Sequence, residues 1–359
     1  MPTRSAFLDA VAERVVVYDG ATGTWIQSQD LSLDDYGGPE FEGCTDILGV
    51  TRPDVVAALH TAYLEVGADV VETNTFGAFA VPLGEYDMTE RSHEIALANA
   101  RIAREVADGF STPDRKRYVA GSLGPGTKAP SLGQIRFSEL RDHYQVAGEA
   151  LLEGGVDLFI LETHFDLLAV KAAVIGVRRA MAKVGRQVPI QCQVTMELTG
   201  RMLVGTEIGA ALAAIDPLGI DVVGLNCATG PTEMGEHVRH LAQHARTPIS
   251  VLPNAGLPSI VDGKMHYDLT AEEMEAHQRR FVEELGVQVI GGCCGTTPEF
   301  IKRLADMAPS LTPAKRDIVF EPSVTSIYSA VSLKQDLSTL MIGERTNANG
   351  SKKFREALL

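Results

Sequence analysis

The sequence predicts an α/β protein: a (β/α)8 TIM barrel, then a linker and a truncated start of a second barrel. Three observations carry that expectation. Eight short β-branched runs recur, each closed by Gly, Asn, Thr or Pro nearby. The segments between them have helical periodicity and helix-start signals. A chain of 359 residues, 45% of them hydrophobic, has ample sequence to bury the core of one large domain or two. Strand–helix alternation imposes parallel pairing through right-handed crossovers, and eight such units can close on themselves. An open doubly wound sheet is the structural alternative, because it is built from the same unit.

In chain order, the expected strands cover 14–19, 68–72, 118–121, 156–161, 190–195, 221–225, 249–252 and 288–291. Pro53 and Asp54 open the helical segment VVAALHTAYLEVGA, and Thr270 with Glu273 can form a capping box ahead of AEEMEAHQRRFVEELG. Residues 1–310 read as the barrel and 311–340, with no strand–helix unit, as an interdomain linker. The stretch 341–359, MIGERTNANGSKKFREALL, has an apolar strand start, a polar turn and a basic helix start. It reads as the first piece of another domain, cut off, and alone it cannot bury a core.

Charge and composition narrow the function. Lys plus Arg number 32 against 47 Asp plus Glu, and the net charge of −15 repels a phosphate backbone, so no nucleic acid partner is expected. No run approaches the roughly 18 apolar residues of a membrane helix. The N-terminus, MPTRSAFLDAVAERVVV, lacks the apolar core and cleavage site of a secretory signal, so a cytoplasmic protein without a membrane partner is expected. Five cysteines, two of them adjacent, make a poor disulfide framework and point to reduced thiols or a metal.

Barrel sites lie at the C-terminal strand ends, where the sequence places its most reactive side chains. Cys227 falls in GLNCATG, and Cys293 and Cys294 fall in GGCCGTTP. Three thiolates suit a zinc ion that keeps one position open, and Gly291, Gly292 and Gly295 give the backbone freedom that adjacent ligands need. Buried structural thiols are the plainer alternative, and that packing role is assigned to Cys44 and Cys192. Asn254 in LPNAGLP has an amide oxygen that can fill the open metal position, or it is a turn residue before Ala-Gly. Glu162 in ILETHFD and Asp19 in YDGATGT are carboxylates suited to a substrate ammonium, with Gly20 and Gly23 leaving backbone N–H groups for a substrate carboxylate. Helix capping is the competing role for Asp19. Glu72 and Asp166 are candidates for a supporting role behind these, with solvation or capping the more expected outcome for both. His237, His240 and His244 share a helix face that reads as exposed, and GSLGPGTK lacks the Gly-Lys-Ser/Thr of a phosphate loop.

Taken together, DGATGT, ETNTFG, LETHFD, GLNCATG, LPNAGLP and GGCCGTTP resemble the homocysteine-binding zinc domain of homocysteine S-methyltransferases, across 10–308. IGERTNANGSKKF is similar to the opening of the folate-binding domain in the cobalamin-dependent methionine synthase branch. Thr22 stands where the family more often has Met. The resemblance implies Zn2+ on Cys227, Cys293 and Cys294, with Asn254 as a displaceable ligand and Glu162 and Asp19 on the homocysteine amino group. It also implies methylcobalamin as methyl donor, bound by a domain absent from this chain and recharged from methyltetrahydrofolate, with methionine as product. Zinc would keep the substrate sulfur deprotonated for in-line attack on the methyl group. The partners implied are homocysteine and the cobalamin-binding and folate-binding domains of a full-length enzyme. The alternatives are a corrinoid-independent transferase using betaine or S-methylmethionine, a zinc hydrolase, and a structural-zinc or thiol-binding module. The tail from Met341 favours the cobalamin branch.

Overall fold

Eight parallel strands form one barrel sheet in the computed structural model, which describes residues 5–261, 264–335 and 349–358. They are β1 (Val16–Val17), β2 (Val70–Glu72), β3 (Tyr118–Leu123), β4 (Leu158–His164), β5 (Ile190–Val194), β6 (Val222–Asn226), β7 (Ile249–Leu252) and β8 (Val289–Ile290). From β2 to β8 each strand pairs with the next, and β8 pairs with β1. The seam between β1 and β2 is a single bridge from Tyr18 to Val70, with the Asp69 N–H donating to Val17 O (2.7 Å) and the Asp19 N–H to Val70 O (3.0 Å). That closure excludes the open doubly wound sheet. All eight expected strands are present, the first and last shortened to two residues each.

The barrel fills in layers. Val16, Tyr18, Val70, Ala120, Leu158, Ile160, Val222 and Val289 pack its interior together with Phe7, Ala10 and Val11 of the helix Ala6–Glu13. This helix plugs the N-terminal end: the Phe7 ring meets Tyr118 edge-on at 5.7 Å, and the Tyr118 hydroxyl donates to Ala6 O (3.0 Å). Above the apolar layer lies a polar one. The Tyr18 hydroxyl donates to Gln191 Oε1 (2.9 Å), while Gln191 and Gln193 donate to Ser250 Oγ (3.1 and 2.7 Å). Gly224 leaves room for this layer, since a methyl there would fall 2.3 Å from Ser250 O. Outside, helix Ala271–Leu285 starts with the anticipated capping box, the Glu273 N–H on Thr270 Oγ1 (3.2 Å) and the Thr270 N–H on Glu273 Oε2 (2.9 Å).

Residues 311–335 run along the barrel wall. Arg316 donates to Ala245 O (2.8 Å) and Thr247 O (2.7 Å) just beyond helix Pro231–His244. The Val319 N–H donates to Gln243 O (2.8 Å), and the hairpin of Ser323–Thr325 with Ala330–Ser332 takes the Glu207 N–H on Tyr328 O (2.9 Å). A short helix, Lys352–Ala357, follows near the C-terminus. The strand start expected at 341–348 lies outside the described residues. Among those described, no helix is long and apolar enough to cross a membrane.

Candidate metal centre and substrate cavity

The cysteines reach one another because two strand ends turn sharply. After β6 the chain adopts left-handed backbone at Cys227 (φ 60°) and Ala228 (φ 61°), a conformation disfavoured for residues with a Cβ and common where a site dictates geometry. After β8 it turns through Cys293, Cys294 and Gly295 (φ 79°). The end of β7 joins the two loops: the Cys227 N–H donates to Leu252 O (3.3 Å), the Cys293 N–H to Pro253 O (2.8 Å), and the Ala255 N–H to Cys294 O (2.9 Å). The three sulfurs lie within 4.8 Å of one another, with 3.8 Å between those of Cys227 and Cys294. Hydrogen bonds from Cys227 and Cys293 pull the Cys294 thiol down to about 3. Cys227 is held up at about 11, its bond with Cys293 lowering it but its bond with Cys294 and burial raising it further. Cys44 and Cys192 lie apart from the cluster, and burial pushes them up to about 11 and about 12, as expected of packing thiols.

Asn254 sits in the same joining segment, its N–H on Thr229 O (3.1 Å). Its side-chain oxygen is buried and has no hydrogen-bond partner among the described residues. An uncompensated buried amide oxygen is costly, so this atom is available to a ligand.

Glu162 is held inside the barrel by a register shift in β4 between Leu161 and His164, with Thr163 at φ 56°. Its Oε1 accepts from the Ser122 hydroxyl (2.5 Å) and its Oε2 from Asn226 Nδ2 (3.0 Å). Asn226 is itself fixed on Thr163, accepting from its N–H (2.7 Å) and donating to its Oγ1 (2.8 Å). Asp19 is buried in the wall behind, its Oδ2 accepting the Glu72 N–H (2.9 Å). Glu72 departs from expectation: it is neither solvated nor a cap, but lines the cavity together with Glu162. Burial and then the charges of Glu162 and Asp19 raise Glu72 well above the usual carboxylate range. Burial also raises Glu162, but bonds from Ser122 and Glu72 draw it back.

Asp166 caps the helix Leu167–Val184, accepting from the Leu168 N–H (2.8 Å), and also takes the Ser131 N–H (2.9 Å). His237, His240 and His244 are half-buried rather than exposed, because the segment after 311 lies over their helix and His244 Nδ1 bonds Val319 O (2.9 Å). Sequence reasoning missed Ser122 and Asn226 as partners of Glu162. The available signal was their position at strand ends, in phase with inward-facing neighbours.

The cysteines and the Glu72–Glu162 pair border one cavity of about 260 Å³, which Gly20, Gly23 and Phe76 also line. No Lys or Arg is among its lining residues. Gly23 faces open space, whereas a methyl on Gly20 would fall 2.8 Å from Thr296 O.

A closed βα barrel that gathers three close thiols and buried carboxylates at its C-terminal strand ends has the architecture of an enzyme domain, with the side chains of a candidate metal site on the face where such barrels carry their chemistry. More particularly, the chain belongs to the homocysteine S-methyltransferase family, whose model matches residues 16–308. It is 52% identical over 352 residues to a methionine synthase of Mycobacterium tuberculosis and 50% identical over 357 residues to that of Mycobacterium leprae. Both alignments cover 98% of this chain but 29% of the relative, so the chain spans under a third of the length of these proteins. The metallated form of the homocysteine methyltransferase MmuM from Escherichia coli superposes with a TM-score of 0.66 at 21% identity, covering 84% of this chain and 98% of that one. Its oxidised form gives 0.66 at 20%, covering 83% and 98%. At such identity the likeness shows the barrel fold.

Proposed function

We propose that this chain is the homocysteine-activating part of a cobalamin-dependent methionine synthase, in which the sulfur of homocysteine takes the methyl group of methylcobalamin to give methionine. The observation that carries the reading is a single cavity bordered by three mutually close thiols and a buried carboxylate pair. The donor set fits zinc: three thiolates neutralise a doubly charged soft-tolerant cation, and the unpartnered Asn254 oxygen offers a fourth, exchangeable atom. When bound, zinc would act as a Lewis acid that keeps the substrate thiol deprotonated at neutral pH. Cys227, Cys293 and Cys294 hold the metal. Glu162, fixed by Ser122 and Asn226, receives the substrate ammonium, with Glu72 beside it on the cavity wall and Asp19 in the wall behind. The substrate carboxylate faces the backbone of the Gly20–Gly23 loop, since among the described residues no cationic side chain lines the cavity.

The methyl donor belongs to another domain, and 311–340 is the linker to a folate-binding domain that 341–359 begins. Free thiols at the centre accord with a cytoplasmic setting. The test is to supply homocysteine with free methylcobalamin, methyltetrahydrofolate or betaine separately and to measure methionine by mass spectrometry. Methylcobalamin alone is expected to support transfer, slowly because no domain positions it. Equal transfer from betaine would favour the corrinoid-independent reading instead.

A further inference from the structure

The barrel sheet gives the ends of β4 and β6 no shared ladder, because β5 runs between them. One side chain crosses that gap. In β4 the register passes from Leu161 opposite Cys192 to His164 opposite Val194, so Glu162 and Thr163 together face the single residue Gln193. Such a bulge takes the extra residue out of the ladder, and its N–H needs a partner from elsewhere. Asn226, the last residue of β6 and only 1% exposed, supplies it: the Thr163 N–H donates to Asn226 Oδ1 (2.7 Å). The same amide returns two bonds from Nδ2, to Thr163 Oγ1 (2.8 Å) and to Glu162 Oε2 (3.0 Å). These partners fix which end of the amide is oxygen, since a flip would set an NH2 against the Thr163 N–H and an oxygen against a carboxylate. They also spend both hydrogens of the NH2 group, which leaves neither for a bound molecule. The nitrogen lies 3.9 Å from the sulfur of Cys293, and Cys227 is the next residue in the chain.

We infer that Asn226 is a positioning residue that fixes the distance from the Glu162 carboxylate to the thiol cluster, and that this distance selects the chain length of the amino-acid thiol bound between them. The inference rests on the proposed function, in which Glu162 takes the substrate ammonium and the cluster takes its sulfur through zinc. Both ends of that span stand on left-handed backbone without glycine, at Thr163 (φ 56°) and Cys227 (φ 60°). Such conformations persist where the surroundings over-determine them, and Asn226 clamps the first while directly preceding the second. Without the clamp, Glu162 still has the Ser122 hydroxyl, but its strand loses this tie to β6. Cysteine has one methylene fewer than homocysteine between sulfur and the amino-bearing carbon. In a cavity of fixed span, homocysteine reaches both ends and cysteine reaches one.

The experiment uses the full 359-residue chain, loaded with zinc, as wild type, Asn226→Ala and Thr163→Ala. Calorimetry measures the affinity of each for homocysteine and for cysteine, and metal analysis measures zinc content. Wild type is expected to prefer homocysteine by about tenfold or more, the ordinary worth of one methylene in a fitted site. Asn226→Ala is expected to weaken homocysteine about tenfold, the effect of losing a hydrogen bond to a charged group, and to shift cysteine less than about threefold, with zinc retained. The preference therefore collapses, which general damage to the barrel does not produce, because damage lowers both affinities alike. Thr163→Ala cuts one clamp bond from the other strand and leaves β6 untouched, so it tests the same span even where Asn226→Ala folds poorly. It is expected to reduce the preference in the same direction by about threefold, the effect of one neutral hydrogen bond. Equal affinity of wild type for the two thiols, an unchanged preference in both variants, or zinc loss from both would overturn the inference and leave the wild-type zinc centre standing. Wild-type chain that holds no zinc or binds no homocysteine would overturn the proposed function, and this inference with it.

Discussion

Cys227, Cys293 and Cys294 differ from Cys44 and Cys192 in more than proximity, because only the former sit on turns that aim sulfur at a shared cavity. Replacing any of the three with Ser is expected to abolish zinc retention as measured by metal content, whereas Cys44→Ser and Cys192→Ser retain it. Glu162→Gln keeps the hydrogen-bonding shape but loses the charge proposed to face the substrate ammonium. Calorimetry should show homocysteine binding weaker by about tenfold to a hundredfold, with zinc content unchanged. The carboxylate cluster also makes a pH prediction. Asp19, Glu72 and Glu162 are all raised by burial, so the folded state binds protons more tightly than the unfolded one. Their contribution is favourable below the ordinary carboxylate range and is lost as pH rises through the raised values. Glu72→Gln is therefore expected to raise the melting temperature at neutral pH and to flatten its dependence on pH, while weakening homocysteine binding. A lower melting temperature would contradict this. The cysteines and Glu162 were legible because strand-end motifs carry them. Glu72 was not, because nothing in ETNTFG shows that Asp19 takes its backbone N–H and leaves its carboxyl group on the cavity wall.

At the scale of elements, β-branched periodicity located every barrel strand, since each is buried on both faces and reads as an apolar run. The pieces that escaped are those whose order comes from distant partners. Helix Ala6–Glu13 owes its place to Tyr118, and the stretch from 311 owes its path to carbonyls near the end of helix Pro231–His244. Three-residue strands such as Ser323–Thr325 are also too short to show a period. Arg316→Ala removes two short charge-assisted bonds, to Ala245 O and Thr247 O. It is expected to cost about 2 kcal/mol and to open 314–335 to limited proteolysis. Protection equal to wild type would show that the segment is held elsewhere. Gly224→Ala tests the polar layer inside the barrel, where the added methyl meets Ser250 O at 2.3 Å. A loss of roughly 1–3 kcal/mol in a denaturant melt is expected.

Across the whole molecule, the proposed function implies a division of labour in which this barrel serves one half of a methyl transfer. Three close thiols, a buried carboxylate pair and a cavity all lie at one end of a barrel plugged at the other. On the proposed function, donor and donor recharging would lie with other domains, in keeping with a chain that matches 29% of its methionine synthase relatives. The central claim is that three cysteines hold a zinc ion with an exchangeable position that homocysteine's sulfur takes. Zinc X-ray absorption on the full chain, recorded before and after adding homocysteine, tests it most directly. The account predicts three sulfur neighbours and one oxygen or nitrogen neighbour before addition, and four sulfur neighbours after it. A shell unchanged by homocysteine, or one closed by four protein ligands from the start, would contradict it.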